Sequence, residues 1–222
     1  MTLPRKPLAV VFDLDGTLID SEALVREAHF AACAKLGYAM SDAQFLSLVG
    51  LHREANDAQL KGFYGDAFPL DDFIAATRAH VGDRVAPLKS GAVELMDALD
   101  EMALPYGLAT SSRRPWVDRH FAAHGLAHRF HAIVTRLDCT EGKPHPEPYL
   151  KVTAALGFEP MHVLALEDSH AGVRSAHAAG CMTVMVPDLL PADEEMRTKA
   201  LRVAKSLHDV IDLIAARVAP VA

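Results

Sequence analysis

Two carboxylates one residue apart, Asp13 and Asp15, follow directly on the apolar run at residues 8–12. A short apolar run that ends at a turn signal is typical of a buried parallel strand. Gly16 lets the chain bend, so both carboxylates can approach one site. Carboxylates that close repel each other, and a divalent cation relieves the repulsion. Because hard oxygen ligands suit Mg²⁺, the pair predicts a magnesium site, with a simple Asp-Gly turn as the alternative.

Three further motifs carry polar side chains at or near the ends of predicted strands. They are a hydroxyl motif at residues 108–112, a lysine loop at 142–146 and an acidic motif at 167–169. In an open parallel sheet, ligands bind beyond the carboxyl ends of the strands. One site is therefore predicted to collect Asp13, Asp15, Thr110, Lys143, Glu167 and Asp168. Carboxylates for a metal, with a cation, a hydroxyl and amides for an oxyanion, indicate phosphoryl transfer.

The order and approximate spacing of these motifs resemble those of haloacid-dehalogenase-superfamily phosphohydrolases. The resemblance runs from residue 8 to residue 190 and rests on four motifs: Asp-Leu-Asp-Gly-Thr, Thr-Ser-Ser, Gly-Lys-Pro and Glu-Asp-Ser. It implies a Rossmann-like core with an inserted helical cap of the C1 type. Within the superfamily, the chain is similar to the β-phosphoglucomutase-like phosphatases.

The acidic residues are assigned distinct roles. Asp13 is the predicted nucleophile, because a carboxylate can attack phosphorus and form an aspartyl-phosphate. Asp15 is the predicted general acid and base, first for the leaving alkoxide and then for the attacking water. The resemblance implies these same roles and adds the Asp15 backbone carbonyl as a metal ligand. Asp168 is a further predicted metal ligand, and Glu167 a direct or water-mediated one, with a helix N-cap as the alternative.

The predicted phosphate-binding groups are the Thr110 hydroxyl, the Ser111 backbone amide at a helix start, and Lys143. Lys143 would neutralise the phosphate and Asp13 together. The alternatives are that Thr110 caps the helix opening near Pro115 and that Lys143 is an ordinary surface lysine.

Three residues are candidate substrate contacts outside this set. Arg53 and His52 lie in the helical insert, and Arg113 follows the hydroxyl motif. Sugar-phosphate members of the superfamily place a substrate-contacting Arg near the position of Arg53. A solvated surface is the alternative for all three. Trp116 is predicted to pack and not to contact a ligand.

The sequence pattern predicts an α/β fold. Strands are predicted at residues 8–12, 105–109, 131–135, 162–166 and 182–186. Helices are predicted to alternate with the last four strands at residues 91–103, 114–124, 146–156 and 170–179. This alternation predicts βαβ units, and therefore a parallel sheet with helices on both faces.

Residues 18–86 contain no strand pattern. Four helices are predicted there, at residues 21–36, 41–48, 52–63 and 70–84. The predicted domains are a catalytic core formed by residues 1–17 and 87–222 and an all-helical cap formed by residues 18–86. From Pro191 onward, one or two helices are expected to cover a sheet edge.

Bulk properties narrow the function. The net charge of −7 and the pI of 5.9 argue against nonspecific nucleic-acid binding. The sequence has no apolar run long enough to span a bilayer and no signal-peptide pattern. Three widely spaced cysteines without a metal pattern predict reduced thiols in a cytoplasmic protein. The expected partner is a small phosphorylated metabolite, with no nucleic acid or membrane, and the expected state is a monomer.

Four activities compete, and a Mg²⁺-dependent phosphatase of a small sugar phosphate or related metabolite is favoured. Mutases of the β-phosphoglucomutase type carry a His where this chain has Val25 and a Lys where it has Val49. True haloacid dehalogenases lack the second Asp and need no metal, so Asp15 and Gly16 argue against them. A catalytically silent phospho-acceptor of the receiver type would lack the helical insert and the Asp-x-Asp spacing.

Overall fold

A parallel sheet forms the centre of the larger of two structural units in the computed structural model. The structure describes residues 3–49 and 53–216. One unit comprises the described chain up to Asp20 and from Pro87 onward, and the other comprises Ser21–Ala86. The strands of the sheet are β1 (Ala9–Phe12), β2 (Tyr106–Ala109), β3 (Ala132–Val134), β4 (Val163–Glu167), β5 (Met182–Met185) and β6 (Arg202–Val203).

The strand order is β3-β2-β1-β4-β5-β6, and every pair is parallel. The chain order reverses on either side of β1, which lies between β2 and β4. Phe12, the last residue of β1, pairs with Leu108 of β2 and Leu166 of β4. A doubly wound sheet of this order binds ligands in the crevice at such a switch point. The residues that follow β1, β2 and β4 therefore occupy the expected binding edge.

Six helices lie between or after the described strands of this unit. They are α5 (Ala92–Glu101), α6 (Arg114–His124), α7 (Glu147–Leu156), α8 (His170–Ala179), α9 (Glu194–Lys199) and α10 (Leu207–Ala215). Ala9 and Val11 point to one face of β1, since side chains alternate along a strand, and pack in one cluster with Val152 of α7 and Ala176 of α8. Complete burial of β1 accounts for its uninterrupted apolar sequence.

The predicted α/β fold is confirmed, and each predicted strand lies within one residue of an observed one at both ends. The C-terminal region differs from the prediction in one respect. Two helices follow Pro191 as expected, but β6 lies between them and pairs with β5 at the sheet edge. Two residues are too few to show a period-2 pattern, so β6 had no sequence signal.

Helices are the only regular secondary structure among the described residues of the second unit. Its helices are α1 (Ser21–Lys35), α2 (Asp42–Leu48), α3 (Arg53–Tyr64) and α4 (Leu70–Val81). Helix α1 packs along α4, and the rings of Tyr38, Tyr64 and Phe68 pack together beside them. Ser41 begins α2 with a capping box, accepting from the Gln44 backbone N–H while its own N–H donates to the Gln44 side chain. The cap role of this unit stays a prediction.

Among the described residues, no helix is long and apolar enough to cross a bilayer.

Candidate active site

Acidic side chains follow the two central strands where these end. Asp13 comes directly after β1, and its backbone N–H donates to the Leu166 carbonyl at 2.9 Å, which ties the end of β1 to β4. Glu167 closes β4, and Asp168 follows it. Asp13, Glu167 and Asp168 each offer an oxygen within 4.8 Å of the others. The structure thus brings together the three side-chain carboxylates predicted to hold a metal.

A tight turn follows β1. The Leu14 carbonyl accepts from the backbone N–H of Leu18, and Gly16 adopts a left-handed φ of 84°. Only glycine takes that conformation without cost, and a Cβ on Gly16 would also overlap the Asp168 carboxylate. The Thr17 hydroxyl donates to Asp168 Oδ1 at 3.2 Å, so this turn helps to hold the acid at the end of β4.

Lys143 lies inside this acidic group and not on the surface. Its Nζ is 2.5 Å from both Asp13 Oδ1 and Glu167 Oε1, and its side chain is only 4% exposed. The loop that carries it is held at both sides: the Glu147 carboxylate accepts from the backbone N–H of Glu141, and Ser175 donates to the His145 carbonyl. Because the Lys143 ammonium is buried and held between two carboxylates, the alternative of an ordinary surface lysine is wrong.

Glu167 is fully buried and has several partners. Its Oε1 accepts from Lys143 and, at 2.6 Å, from the Tyr149 hydroxyl, while Oε2 accepts from Ser169 at 3.1 Å. A Cβ on Gly172 would overlap the same carboxylate, so glycine is required to leave room for it. Tyr149 was not predicted from the sequence, where the available signal was a tyrosine among apolar residues six positions after Lys143.

The helix-capping alternative for the acidic motif holds for its third residue. Ser169 is the N-cap of α8, and its hydroxyl accepts from the Gly172 backbone N–H. Glu167 and Asp168 instead belong to the metal-competent group. Capping and an acidic site therefore occupy successive positions of one motif.

Burial dominates the electrostatics of Asp13. It raises the pKa of Asp13 to about 8, Glu167 and Asp15 reinforce the rise, and the Lys143 ammonium opposes it. Burial would lower the pKa of Lys143, but Asp13 and Glu167 outweigh it and hold that pKa above its ordinary value. Burial and the Glu167 charge also raise the pKa of Tyr149, which keeps its hydroxyl a hydrogen-bond donor. An excess of buried negative charge over one ammonium favours a bound cation.

The Asp15 carboxylate has different partners. Ser112 Oγ donates to its Oδ2 at 2.6 Å, and the Trp116 indole N–H donates to its Oδ1 at 3.0 Å. Packing was predicted for Trp116, and its ring packs against that of His120, but its hydrogen bond to Asp15 was not predicted. The Asp15 side chain therefore faces the start of α6 and is not one of the three clustered carboxylates.

The hydroxyl motif follows β2, next to β1. Thr110 is buried, and its Oγ1 accepts from the Ser112 backbone N–H at 2.9 Å. Helix α6 begins after Arg113 without a side-chain cap, so the structure gives no support to the alternative in which Thr110 caps it. Ser111 and Arg113 are both exposed. Thr110 and Ser111 thus follow β2 at the predicted edge, and their phosphate-binding roles stay predictions.

Two predicted substrate contacts lie outside what the structure describes. His52 is not among the described residues. The backbone of Arg53 begins α3, but its side chain is not described. Their roles stay predictions from the sequence.

The sequence of this chain is similar to those of proteins of known family. The model of the family "haloacid dehalogenase-like hydrolase" matches residues 10–186. A validoxylamine A 7'-phosphate phosphatase from Streptomyces hygroscopicus subsp. limoneus is 33% identical over 178 residues, which cover 78% of this chain and 83% of the relative. Hexitol phosphatase B from Escherichia coli K12 is 30% identical over 195 residues, 84% of this chain and 86% of the relative.

A solved structure supports the fold. The β-phosphoglucomutase of Clostridium difficile superposes with a TM-score of 0.73 at 20% identity, covering 95% of this chain and 96% of the mutase. Identity this low supports the shared architecture alone.

Proposed function

This chain belongs to the haloacid dehalogenase-like hydrolases, and from that premise we propose that it is a Mg²⁺-dependent phosphatase of small phosphomonoesters. The proposed substrate is a sugar phosphate or a related metabolite, and the proposed intermediate is an aspartyl-phosphate. Support for the substrate class comes from relatives named as phosphatases of a hexitol and of validoxylamine A 7'-phosphate.

One observation carries the proposal. The Asp13 carboxylate lies at the switch point of the sheet, paired with Lys143 at 2.5 Å and clustered with Glu167 and Asp168. A nucleophile for phosphorus needs a fixed carboxylate and positive charge for the oxygens of the phosphoryl group. Lys143 supplies one such charge from inside the protein, where it is poorly screened by water.

In the first proposed step, an Asp13 carboxylate oxygen forms a bond to phosphorus. The bond between phosphorus and the ester oxygen breaks, and its electron pair stays on that oxygen. Asp15 gives its proton to the leaving oxygen, so the alcohol departs neutral. The Thr110 hydroxyl, the Ser111 amide and Lys143 are the proposed donors to the phosphoryl oxygens.

In the second step, water attacks the phosphorus of the aspartyl-phosphate. Asp15, now ionised, accepts a proton from that water as the new bond forms. The bond between phosphorus and the Asp13 oxygen breaks, and its electron pair returns to the carboxylate. Inorganic phosphate leaves, and Asp13 and Asp15 regain their starting states.

Asp13, Glu167 and Asp168 fit a divalent cation, since all three offer carboxylate oxygens and burial disfavours their charge without a counter-ion. The Asp15 backbone carbonyl is a further proposed ligand. A bound Mg²⁺ would neutralise negative charge at the phosphoryl group. Calorimetric titration of Mg²⁺ should show binding to the wild type and much weaker binding to Asp168→Asn. Equal affinities would contradict the ligand assignment, whatever the activity.

Activity gives a second test of the metal. Excess EDTA should abolish phosphate release, and Mg²⁺ should restore it. Ca²⁺ should inhibit, because it takes more ligands at longer distances and would misplace Asp13. Full activity in EDTA would favour the dehalogenase alternative instead.

A hexose-phosphate mutase is the remaining alternative. The chain has Val25 and Val49 where mutases of the β-phosphoglucomutase type have His and Lys. β-Glucose 1-phosphate should be supplied with a trace of the 1,6-bisphosphate, and glucose 6-phosphate and free phosphate followed together. Glucose 6-phosphate accumulating much faster than free phosphate would make the chain a mutase.

The substrate is best sought with a panel of phosphorylated sugars, hexitols and other metabolites, each assayed with and without Mg²⁺. We expect hydrolysis of at least one sugar or hexitol phosphate. A preference for phosphoproteins or nucleic acids would contradict the proposed small-molecule partner. A monomeric state and a cytoplasmic location stay predictions from the sequence.

A further inference from the structure

The carboxylate of Asp15 is held at both oxygens by one short segment of chain. Ser112 Oγ lies 2.6 Å from Oδ2, and the Trp116 indole nitrogen lies 3.0 Å from Oδ1. Both donors come from the segment that leaves β2 and starts α6. Two hydrogen bonds restrict the rotation that a carboxylate with one partner would keep.

The segment is itself well anchored. The Ser112 backbone N–H donates to Thr110 Oγ1, and its carbonyl accepts from the Arg136 N–H at 3.0 Å. The Trp116 ring packs on the fully buried His120 ring, with 4.2 Å between centroids. His120 Nδ1 also donates to the Trp116 carbonyl at 2.9 Å. Both donors to Asp15 are therefore placed before any substrate arrives.

The chemistry of the two donors differs in a useful way. An indole N–H only donates, so Asp15 Oδ1 must accept from Trp116 in every state of the carboxyl group. A serine hydroxyl both donates and accepts, so Ser112 can face Oδ2 with or without a proton. A proton on Oδ1 would make that oxygen a poorer acceptor for the Trp116 N–H, whereas Oδ2 can carry a proton and keep the Ser112 hydroxyl as its partner.

We infer that Ser112 and Trp116 are positioning residues that orient Asp15 so that Oδ2 gives and takes the proton of the reaction. The inference rests on the proposed function, in which Asp15 protonates the leaving oxygen and later accepts a proton from water. In the structure, Ser112 and Trp116 contact the Asp15 carboxylate, and the proposed donors to the phosphoryl oxygens are other groups. Loss of Ser112 or Trp116 should therefore matter most when the leaving group needs protonation.

The test compares phenyl phosphate with p-nitrophenyl phosphate, which share a ring but differ in how readily the oxygen leaves unprotonated. Trp116→Phe keeps an aromatic ring against His120 and removes only the N–H donor. We expect kcat on phenyl phosphate to fall about tenfold, the effect of one hydrogen bond to a charged group. On p-nitrophenyl phosphate, kcat should change much less, and KM should be nearly unchanged on both.

Matched variants separate orientation from packing. Ser112→Ala should reproduce the selective loss on phenyl phosphate, and Ser112→Thr should restore activity because it keeps the hydroxyl. Arg119→Gln is the control, since the Arg119 guanidinium lies 5.9 Å from the centroid of the Trp116 ring and makes no contribution to the N–H donor. It should leave the ratio of the two rates at the wild-type value. Thermal melts check that each variant folds.

Fluorescence supplies a readout that does not depend on turnover, because Trp116 is the sole tryptophan of the chain. Asp15→Ala should shift the indole emission maximum, whereas Asp13→Asn should leave it in place. An unchanged emission in Asp15→Ala, or equal losses of kcat on both esters in Trp116→Phe, would overturn the inference while leaving the phosphatase assignment intact. A wild type that hydrolyses no phosphoester would overturn both.

Discussion

The unit that contains the sheet and the helical unit both enclose titratable side chains, but the surroundings of those side chains differ in kind. In the unit that contains the sheet, Lys143 lies between Asp13 and Glu167, and Tyr149 adds a hydroxyl. In the helical unit, His29 is half-buried with its ring edge against the ring of Phe45 and near that of Phe73, at centroid distances of 5.7 and 5.2 Å. The first set can hold charge, whereas the second favours a neutral ring.

The difference shows that burial has a different consequence for the titratable groups of each unit. Burying charges costs free energy unless they are paired, so a charged cluster is retained where chemistry needs it. The histidine has no charged partner in the contacts described, and burial lowers its pKa, opposed only by its hydrogen bond to the Val25 carbonyl. Charge in the first unit therefore indicates function, and the neutral ring in the second contributes to packing.

The largest expected effect comes from removing the proposed nucleophile, Asp13. Asp13→Asn keeps the shape of the side chain but cannot form an aspartyl-phosphate. Phosphate release should fall to nearly the uncatalysed rate, a loss of at least about 10⁶-fold. Steady-state release of inorganic phosphate measures it, with circular dichroism to confirm folding. Turnover close to that of the wild type would remove Asp13 from the mechanism.

Lys143→Ala should follow in size. It leaves Asp13 and Glu167 buried without their ammonium, so stability should fall by about 3–5 kcal/mol. It also removes the charge proposed to stabilise the phosphoryl group during the reaction, so kcat should drop by about 10²–10³-fold. Urea unfolding and initial rates measure the two effects.

Lys151→Ala is the matched control for that experiment. Lys151 pairs with Glu147 one helical turn away and is 45% exposed. An exposed ion pair contributes little to stability because water screens it. Equal losses of stability in Lys143→Ala and Lys151→Ala would show that the buried ion pairs of Lys143 contribute no more to stability than an exposed pair does.

Much of the acidic cluster formed by Asp13, Glu167 and Asp168 could be predicted from the sequence, because each of these residues follows a recognisable strand pattern. Asp13, Glu167 and Asp168 follow apolar runs that form central strands, and the ends of parallel strands meet at one edge. The four helices of the second unit were predictable too, since glycines and Pro69 separate their apolar patterns.

The partners of these residues were not predictable in the same way. Tyr149 and Trp116 lie on helices, and what their polar atoms reach depends on how each helix packs on the sheet. The periodicity of apolar residues in the sequence gives no information about how a helix packs on the sheet. Ser112 carried a weak signal, because alternation places it on the same side as Thr110, but the chain bends after β2. Contacts that cross from helix to strand end therefore required the structure.

Gly172→Ala is a smaller change that tests how tightly the Glu167 carboxylate is packed. A new Cβ would overlap the Glu167 carboxylate, so either Glu167 or the start of α8 must shift. We expect a loss of about 1–3 kcal/mol in stability and a lower kcat, since Glu167 also contacts Lys143. Urea unfolding and initial rates measure both.

Gly62→Ala in the helical unit is the control, because it lies in α3 with open space where the Cβ would be. That substitution should stabilise the protein by about 0.5–1 kcal/mol through helix propensity. If Gly62→Ala were less stable than the wild type and Gly172→Ala equally stable, the expected order of the two stability changes would be reversed.

The smallest expected effect is a pH dependence that originates at His29. Burial holds its pKa in the folded state below the ordinary value of 6.5, so the unfolded chain binds its proton more readily. The contribution of the neutral ring is present in full above pH 6.5 and is lost as the pH falls through 6.5 toward the lower folded-state pKa. His29→Phe keeps a ring between Phe45 and Phe73 but removes the titration. The free energy of unfolding in urea, measured at several pH values on either side of 6.5, should fall with acid less steeply in the variant than in the wild type. Identical slopes would mean that the His29 ring binds its proton as readily in the folded state as in the unfolded chain, and the contrast between a charged cluster and a neutral histidine would be lost.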